Sequence, residues 1–377
     1  RLFYIKKRRG CALVLTQPHF SASLPMVQMG LTTSMIGLAL GQIFFGPLSD
    51  KYGRRPLLLV SMLLFIVSTL FCLFAPDIYS FVTLRLIQGI AGAGGIVISR
   101  SVAIDKFSGK ELAKMLAVIG AINGVAPVAA PVIGGLLTGS VGWQGIFMIL
   151  LFIGILLGIG CIRFKESLPA EKRSKTGVWA TFRSFGIIVH NRRYMLYVFQ
   201  LAFAQGILFA YIASSPFIIQ QHYGFSPFAF SICFAVNAVA IGVAAALSVK
   251  FRRTENGTLT GCVGMLVFAV LQMAALYSGC GFWTYELLMF ALLFMMGLTF
   301  TASTTLAMDC ERRYAGAASA LLGALCFASG GIVSPLVGLG DILISTGVTF
   351  VICAVCSLLC ALWAVKRTGP KVALCRI

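Results

Sequence analysis

The sequence predicts an all-α integral membrane protein of the two-bundle type, with about eleven transmembrane helices, five before a charged linker and six after it. Three observations carry that prediction. Of 377 residues, 59% are hydrophobic and 11% charged, with a mean hydropathy of +0.95, far more apolar surface than a soluble chain of this length can hide. Runs of about twenty apolar residues recur along the chain, each long enough to cross the hydrocarbon as a helix. The basic residues also gather in alternate connections between those runs.

The helices are expected at 28–47, 56–75, 79–103, 112–138, 142–163, 194–219, 226–250, 258–278, 283–308, 314–340 and 344–366. The first two are joined by Gly46–Arg55, too short for anything but a tight helical hairpin, and the second stops at Ala75-Pro76-Asp77. The third carries one deep charge, Arg85, and leads into Lys106, Lys110 and Lys114. The fourth is rich in glycine and proline, and between Lys165 and Arg193 the chain turns polar and charged. That stretch is the natural linker, which divides the chain into an atypical segment 1–27, a first bundle 28–163, a linker 164–193, a second bundle 194–366 and a tail 367–377. In the second bundle the connections alternate between Gln220–Pro227, basic Lys250/Arg252/Arg253, Gly279–Trp283, basic Arg312/Arg313 and Gly338–Asp341.

Lysine- and arginine-rich connections face the cytoplasm, so the tail from Lys366 is expected there too. The net charge of +19 is therefore topological and does not point to nucleic acid. The first 27 residues break the alternation, because Lys6–Arg9 belongs in the cytoplasm while the helix at 28–47 must start outside. A chain that has lost its first helix explains this. Most of the twelve cysteines lie in apolar runs, and Cys353, Cys356 and Cys360 share a helix face without a histidine or carboxylate nearby. Packing is the reading there, with no metal and no disulfide framework expected. No carboxylate pair, nucleophile–base arrangement or nucleotide loop appears, so neither enzyme chemistry nor a cofactor is expected.

A shift of 204 positions lays Pro131–Gly134 on Pro335–Gly338 and the basic loop with Gly53 on Lys250–Gly257. Repeated halves are a common plan of secondary transporters; chance matching of glycine- and proline-rich helices is the alternative.

Four groups of residues stand out. In Gly46–Arg55, Gly46 and Gly53 allow a tight turn, and Asp50 is placed to accept free amides at a helix N-terminus. Lys51, Arg54 and Arg55 are placed to pair with it, as a latch between helix ends or as an ordinary cytoplasmic loop. Arg85, Gln88, Gly89, Gly92 and Ser99 fall on one helix face. A charge inside the membrane costs about 2.5–3.5 kcal/mol on the insertion scale, so this stripe is expected to face a hydrated cavity, unless Arg85 snorkels to the outer interface. The fourth helix carries Gly120, Asn123, Gly124, Pro127, Pro131, Gly134 and Thr138; its prolines free the carbonyls four residues back and let it bend. In the second half Tyr197, Gln200, Gln205, Tyr211, Asn237, Thr299 and Ser303 lie among Phe203, Phe209, Phe230 and Phe234. A few polar groups in an apolar wall are the usual form of a small-molecule site, though helix packing accounts for any one of them. No acidic residue sits deep in a span; Asp50, Asp105, Glu111, Asp309 and Glu311 fall at cytoplasmic ends, and Asp77, Glu286 and Asp341 near outer ones.

On these residues, from about Ser21 onward, the sequence resembles the major facilitator superfamily, and within it the drug/proton antiporters of the Bcr/CflA (bicyclomycin resistance) type. Gly46–Arg55 resembles the family loop between helices two and three, and Arg85–Gly89 the fourth-helix motif. Gly120–Gly135 resembles the antiporter motif, Phe209–Phe217 the seventh helix, and Arg100 with Asp105 the fourth-helix end. Before Ser21 the chain departs from the family, whose acidic first helix is not there.

The resemblance implies efflux of small amphipathic drugs in exchange for protons by alternating access, in a bacterial inner membrane, as a monomer in the lipid bilayer. It implies proton coupling through Arg85, with Glu286 as the carboxylate that must reach inward if the coupling group lies in this chain. Gln88, Asn123, Gln200, Gln205, Tyr211 and Asn237 become cavity candidates, Asp50 with Arg54 a cytoplasmic latch, and Pro127 and Pro131 the bending points. Transport of one specific metabolite, and a truncated remnant that no longer transports, are the alternatives.

Overall fold

The structure, a computed structural model, describes residues 24–107, 111, 115, 134, 142–169, 171, 173, 185–248, 251, 253–311 and 315–366. Among the described residues, 10 helices are long and apolar enough to cross a membrane. They are α1 (Leu24–Tyr52), α2 (Arg54–Leu73), α3 (Ile78–Lys106), α4 (Gly142–Ile162), α5 (Arg192–Phe217), α6 (Pro227–Ser248), α7 (Thr254–Tyr277), α8 (Phe282–Cys310), α9 (Ala315–Leu336) and α10 (Ile342–Lys366). The helix expected at 112–138 lies outside the described residues apart from Met115 and Gly134, and so do Gly120, Asn123, Gly124, Pro127, Pro131 and Thr138.

The helices form because a backbone in hydrocarbon must satisfy its own amides and carbonyls. Side chains such as Leu63, Phe152, Val239 and Trp363 are turned outward and mostly exposed, as a lipid-facing surface requires.

One expectation needs correction. Gly46–Arg55 is not a loop: α1 continues through Pro47 to Tyr52, α2 begins at Arg54, and Gly53 alone is non-helical. Gly53 sits at φ 99°, a conformation that only glycine adopts cheaply, and its amide still bonds the Ser49 carbonyl at 3.1 Å. One residue therefore reverses the chain. The helix expected from residue 28 likewise starts earlier, at Leu24.

Without a hydrophobic drive between helices in lipid, close packing rests on small residues. A Cβ on Gly37 would stand 2.3 Å from the Leu86 carbonyl oxygen, and one on Gly89 would stand 2.2 Å from that of Ser34. This approach of α1 to α3 lets Thr33 Oγ1 donate to the Val82 carbonyl at 2.9 Å and Ser34 Oγ to that of Arg85 at 3.2 Å. On its other side α1 meets α9, where a Cβ on Gly331 would touch Ile36 and one on Gly323 would touch Gln42. Arg100 Nη1 donates to Ser319 Oγ at 3.4 Å, a further contact of α3 with α9. The largest core cluster lies among α5 to α10, around Tyr211, Phe230, Phe234, Tyr285 and Phe350.

Displaced by the same 204 positions, Ile78–Lys106 falls on Phe282–Cys310 end for end, and Leu73 on Tyr277. The glycine pairing does not follow: Gly257 lies inside α7, away from any turn.

Candidate functional sites in and below the membrane

The C-terminal ends of α1 and α3 and the N-terminal end of α2 meet around Arg54. Its Nε donates to Asp105 Oδ2 at 2.9 Å, its Nη1 donates to Ser49 Oγ at 2.7 Å, and it pairs with Asp50 one turn back. Arg54 is buried, 6% exposed, so its charge depends on those partners. Asp50 does not cap the helix that follows. That position is taken by Glu166, which the sequence reading passed over. Its Oε1 accepts the Arg54 amide at 3.0 Å and its Oε2 the Arg55 amide at 3.2 Å, two of the free donors at the start of α2. Glu166 also accepts the amides of Ser167 and Leu168 and faces Arg173 at 3.6 Å. Burial pushes its carboxyl up, but the four backbone amides outweigh that and hold it below its ordinary value. Gly53 lies under this contact, since a Cβ there would stand 2.5 Å from Glu166 Oε2. The one advance signal was position: an acid just after α4, in a chain with 11 acids in all.

A second site lies within the membrane on α3. Arg85 does not run to the outer interface. Its Nε donates to the Gly30 carbonyl of α1 at 3.4 Å, its Nη1 to Gln88 Oε1, and its guanidinium stands 5.7 Å from the Phe147 ring of α4. Gln88 passes the link to α2 by donating to Thr69 Oγ1 at 2.6 Å. Arg85, Gln88, Gly89 and Gly92 line a cleft of about 200 Å³ with Ser34, Met35, Leu38, Phe65 and Leu150. Ser99 does not join them: it is exposed and bonds back to the Ile96 carbonyl at 3.0 Å. Among the described residues the ion pairs join Arg54 to Asp50 and Asp105, and Arg173 to Glu166, and none includes Arg85.

The third site lies in the second half. Of the three acids near the N-terminal ends of α3, α8 and α10, two are caps. Asp77 accepts the Ser80 amide at 2.7 Å and Asp341 the Leu343 amide at 2.8 Å. Glu286, on the second turn of α8, instead turns inward. Its Oε1 accepts from Asn237 Nδ2 of α6 at 2.8 Å, and the same amide nitrogen donates to Tyr211 Oη of α5 at 3.0 Å. Tyr211 and Asn237 are fully buried, and Phe234 stacks on the Tyr211 ring at 5.1 Å. Gln200 lies elsewhere on α5, donating to Ser357 Oγ at 3.2 Å and to Cys262 Sγ at 3.4 Å within packed helices. Gln205 is part-buried with an unpaired Oε1, Tyr197 is buried beside Arg193, Thr299 Oγ1 donates back to the Met296 carbonyl at 2.8 Å, and Ser303 Oγ bonds Thr258 Oγ1 of α7 at 3.1 Å.

A family model described as Major Facilitator Superfamily matches residues 11–335. The chain is 38% identical over 328 residues to an uncharacterized MFS-type transporter, YdgK, of Bacillus subtilis, covering 85% of this chain and 81% of the relative. It is 29% identical to a bicyclomycin resistance protein homolog of Haemophilus influenzae, over 82% of this chain and 79% of that one. It is also 29% identical to the multidrug transporter MdfA of Yersinia pestis, over 56% and 52%. Among solved structures, a bacterial homolog of the human lysosomal transporter Spinster, inward-facing and unoccupied, superposes with a TM-score of 0.75 at 18% identity, covering 94% of this chain and 93% of that one.

Proposed function

The chain belongs to the Major Facilitator Superfamily, and from that premise we propose that it is a drug efflux antiporter of the bicyclomycin-resistance type, exchanging small amphipathic drugs for protons by alternating access. Its fold is that of a multi-pass membrane transporter. The names of the Haemophilus and Yersinia relatives support drugs as the cargo. The observation that carries the proton half is Glu286: a carboxylate turned into the bundle, held by Asn237 and by no described cation, is a group able to take up and release a proton. Arg85 sets the polarity of the first half, and the Asp50–Arg54–Asp105 contact latches the cytoplasmic ends. The two bundles and their linker, a bacterial inner-membrane location, a cytoplasmic C-terminus and a monomeric state belong to the same proposal.

Inverted membrane vesicles test it. An imposed proton gradient is expected to drive drug accumulation that an uncoupler abolishes and that Glu286→Gln uncouples from the gradient. Accumulation of one metabolite and of no drug would replace this reading with that of a specific transporter; no gradient-driven movement of either would remove it.

A further inference from the structure

Resting on the alternating-access reading, we propose that the contact between α1 and α9 is a release joint, which Thr32 and Gln42 keep short of hydrogen bonds so that the two helices part readily. The two sides of α1 differ. Toward α3 its hydroxyls are spent, Thr33 Oγ1 donating to the Val82 carbonyl at 2.9 Å and Ser34 Oγ to that of Arg85 at 3.2 Å. Thr32, Ala39 and Gln42 follow at i, i+7 and i+10, the spacing of one helix face, and all three are buried. On this side Ile36 and Gln42 meet Gly331 and Gly323 of α9. Thr32 is 3% and Gln42 2% exposed. Among the described residues, however, Thr32 Oγ1 and Gln42 Nε2 have no hydrogen-bond partner.

Polar side chains between membrane helices ordinarily bond across the contact and hold it together. A buried polar atom without a partner has lost the hydrogen bonds that water gave it and gained nothing in return. Toward α9 that loss occurs twice, so the closed contact is weakened by the groups it buries. Parting the helices lets water reach both atoms. Thr32 and Thr33 are thus neighbours in sequence and opposite in effect.

The packing is an independent second observation. Against α3, a Cβ added at Gly37 would stand 2.3 Å from the Leu86 carbonyl oxygen and 2.8 Å from the Ile90 amide nitrogen, main-chain atoms that cannot turn aside. Against α9, a Cβ added at Gly323 would stand 2.2 Å from Gln42 Oε1, and one at Gly331 would stand 2.7 Å from Ile36 Cγ1. Main chain fills the glycine spaces between α1 and α3, whereas side-chain ends free to rotate fill those of α9. The link where α3 finishes and α9 begins is slack as well. Arg100 Nη1 stands 3.4 Å from Ser319 Oγ, beyond the usual range of such a bond, and the N-terminal end of a helix does not attract a cation. α1 therefore travels with α3 and is free to leave α9. Thr32 and Gln42 are positioning residues that set how readily this contact opens.

The test uses the full chain in lipid nanodiscs, with Thr32→Val and Gln42→Met combined, changes that keep the approximate size of each side chain and remove the unpaired groups. Hydrogen–deuterium exchange of the α9 amides and the thermal midpoint are read out, and neither needs a substrate. The double variant is expected to exchange at least about fivefold more slowly along α9 and to unfold at a higher temperature. Thr33→Val, one residue away on the bonded side, is expected to lower the midpoint. In vesicles the double variant is expected to move drug more slowly although it is more stable, a combination that a packing defect does not give. A midpoint that is lowered or unchanged, or α9 exchange that is not slowed, overturns the inference. If the wild type still drives drugs in that case, the joint falls alone. If the wild type moves no drug, the efflux reading falls, and exchange and midpoint still decide the joint.

Discussion

Glu166 and Arg54 are 112 residues apart in sequence, yet the Glu166 carboxylate accepts the Arg54 backbone amide at 3.0 Å. The bond ties the end of the first group of helices to the start of α2, at the residue whose side chain holds Asp105. Glu166→Gln keeps the shape of the group and removes its charge, so the cap weakens while the turn at Gly53 survives. Loss of a capping group costs about 0.5–2 kcal/mol, and a lower thermal midpoint in detergent is the expected outcome.

The same carboxylate gives a pH dependence of known sign. Its folded value lies below the ordinary 4.5, so its contribution is complete above the unfolded value and is lost as pH falls through the folded one. Thermal midpoints measured from pH 7 down to pH 3 are expected to fall less steeply in Glu166→Gln than in the wild type. Equal slopes would mean that Glu166 does not hold α2 in the membrane-embedded protein.

Gly53→Ala is expected to damage the same junction more severely. An alanine at φ 99° is strained, by about 1–3 kcal/mol, and its Cβ would stand 2.5 Å from Glu166 Oε2 and 2.9 Å from Arg173 Nη2. Relieving the contact moves Glu166 off the amides, so Gly53→Ala combined with Glu166→Gln should cost less than the sum of the two single changes. A double-mutant cycle on thermal stability measures that coupling.

Arg85→Ala is expected to abolish drug resistance while membrane insertion persists, because it removes the guanidinium that joins α1, through Gly30, to Gln88 on its own helix. Arg85→Lys keeps the charge but not the fork that reaches both partners, and is expected to restore little. Resistance assays at matched membrane abundance decide it: full resistance in Arg85→Ala rules out a role for this residue in transport.

These sites differ in how far they could be read from the sequence alone. The spans, the clustering of basic residues in alternate connections and the singular Arg85 follow from composition and the cost of charge in hydrocarbon, so they were visible. The geometry around Gly53 was not, because a helix that continues through Pro47 and charged residues to Tyr52 depends on tertiary partners, Asp105 and Glu166, that no local pattern announces. Though its geometry was hidden, Glu286 was legible as an acid near a helix end, like Asp77 and Asp341, and as the carboxylate that had to reach inward if the coupling group lay in this chain. What separates it is the direction of its side chain, which is set by Asn237 on a different helix. Gln200 shows the converse: a polar residue among phenylalanines has the composition of a ligand site and is used to bind helices together.

The close approach of α1 and α3 yields a last prediction with its own control. At Gly89 a Cβ would stand 2.2 Å from the Ser34 carbonyl oxygen and 3.0 Å from its carbonyl carbon, backbone atoms that cannot rotate away. Gly89→Ala must therefore push the helices apart, at an overpacking cost of about 1–3 kcal/mol. At Gly95, six residues along the same helix, nothing lies within 4 Å of the added carbon. Gly95→Ala should be neutral or stabilising, by up to about 1 kcal/mol, since alanine restricts the helix backbone more than glycine does. Separation at Gly89 also breaks the bond from Ser34 to the Arg85 carbonyl and shifts the cleft that Arg85 and Gln88 line. Gly89→Ala is accordingly expected to lose drug movement in vesicles even at temperatures where it remains folded, while Gly95→Ala retains it. Parallel thermal unfolding and vesicle uptake of the two variants separate a packing defect from a displaced site: equal behaviour of the two would show that the α1–α3 contact sets neither.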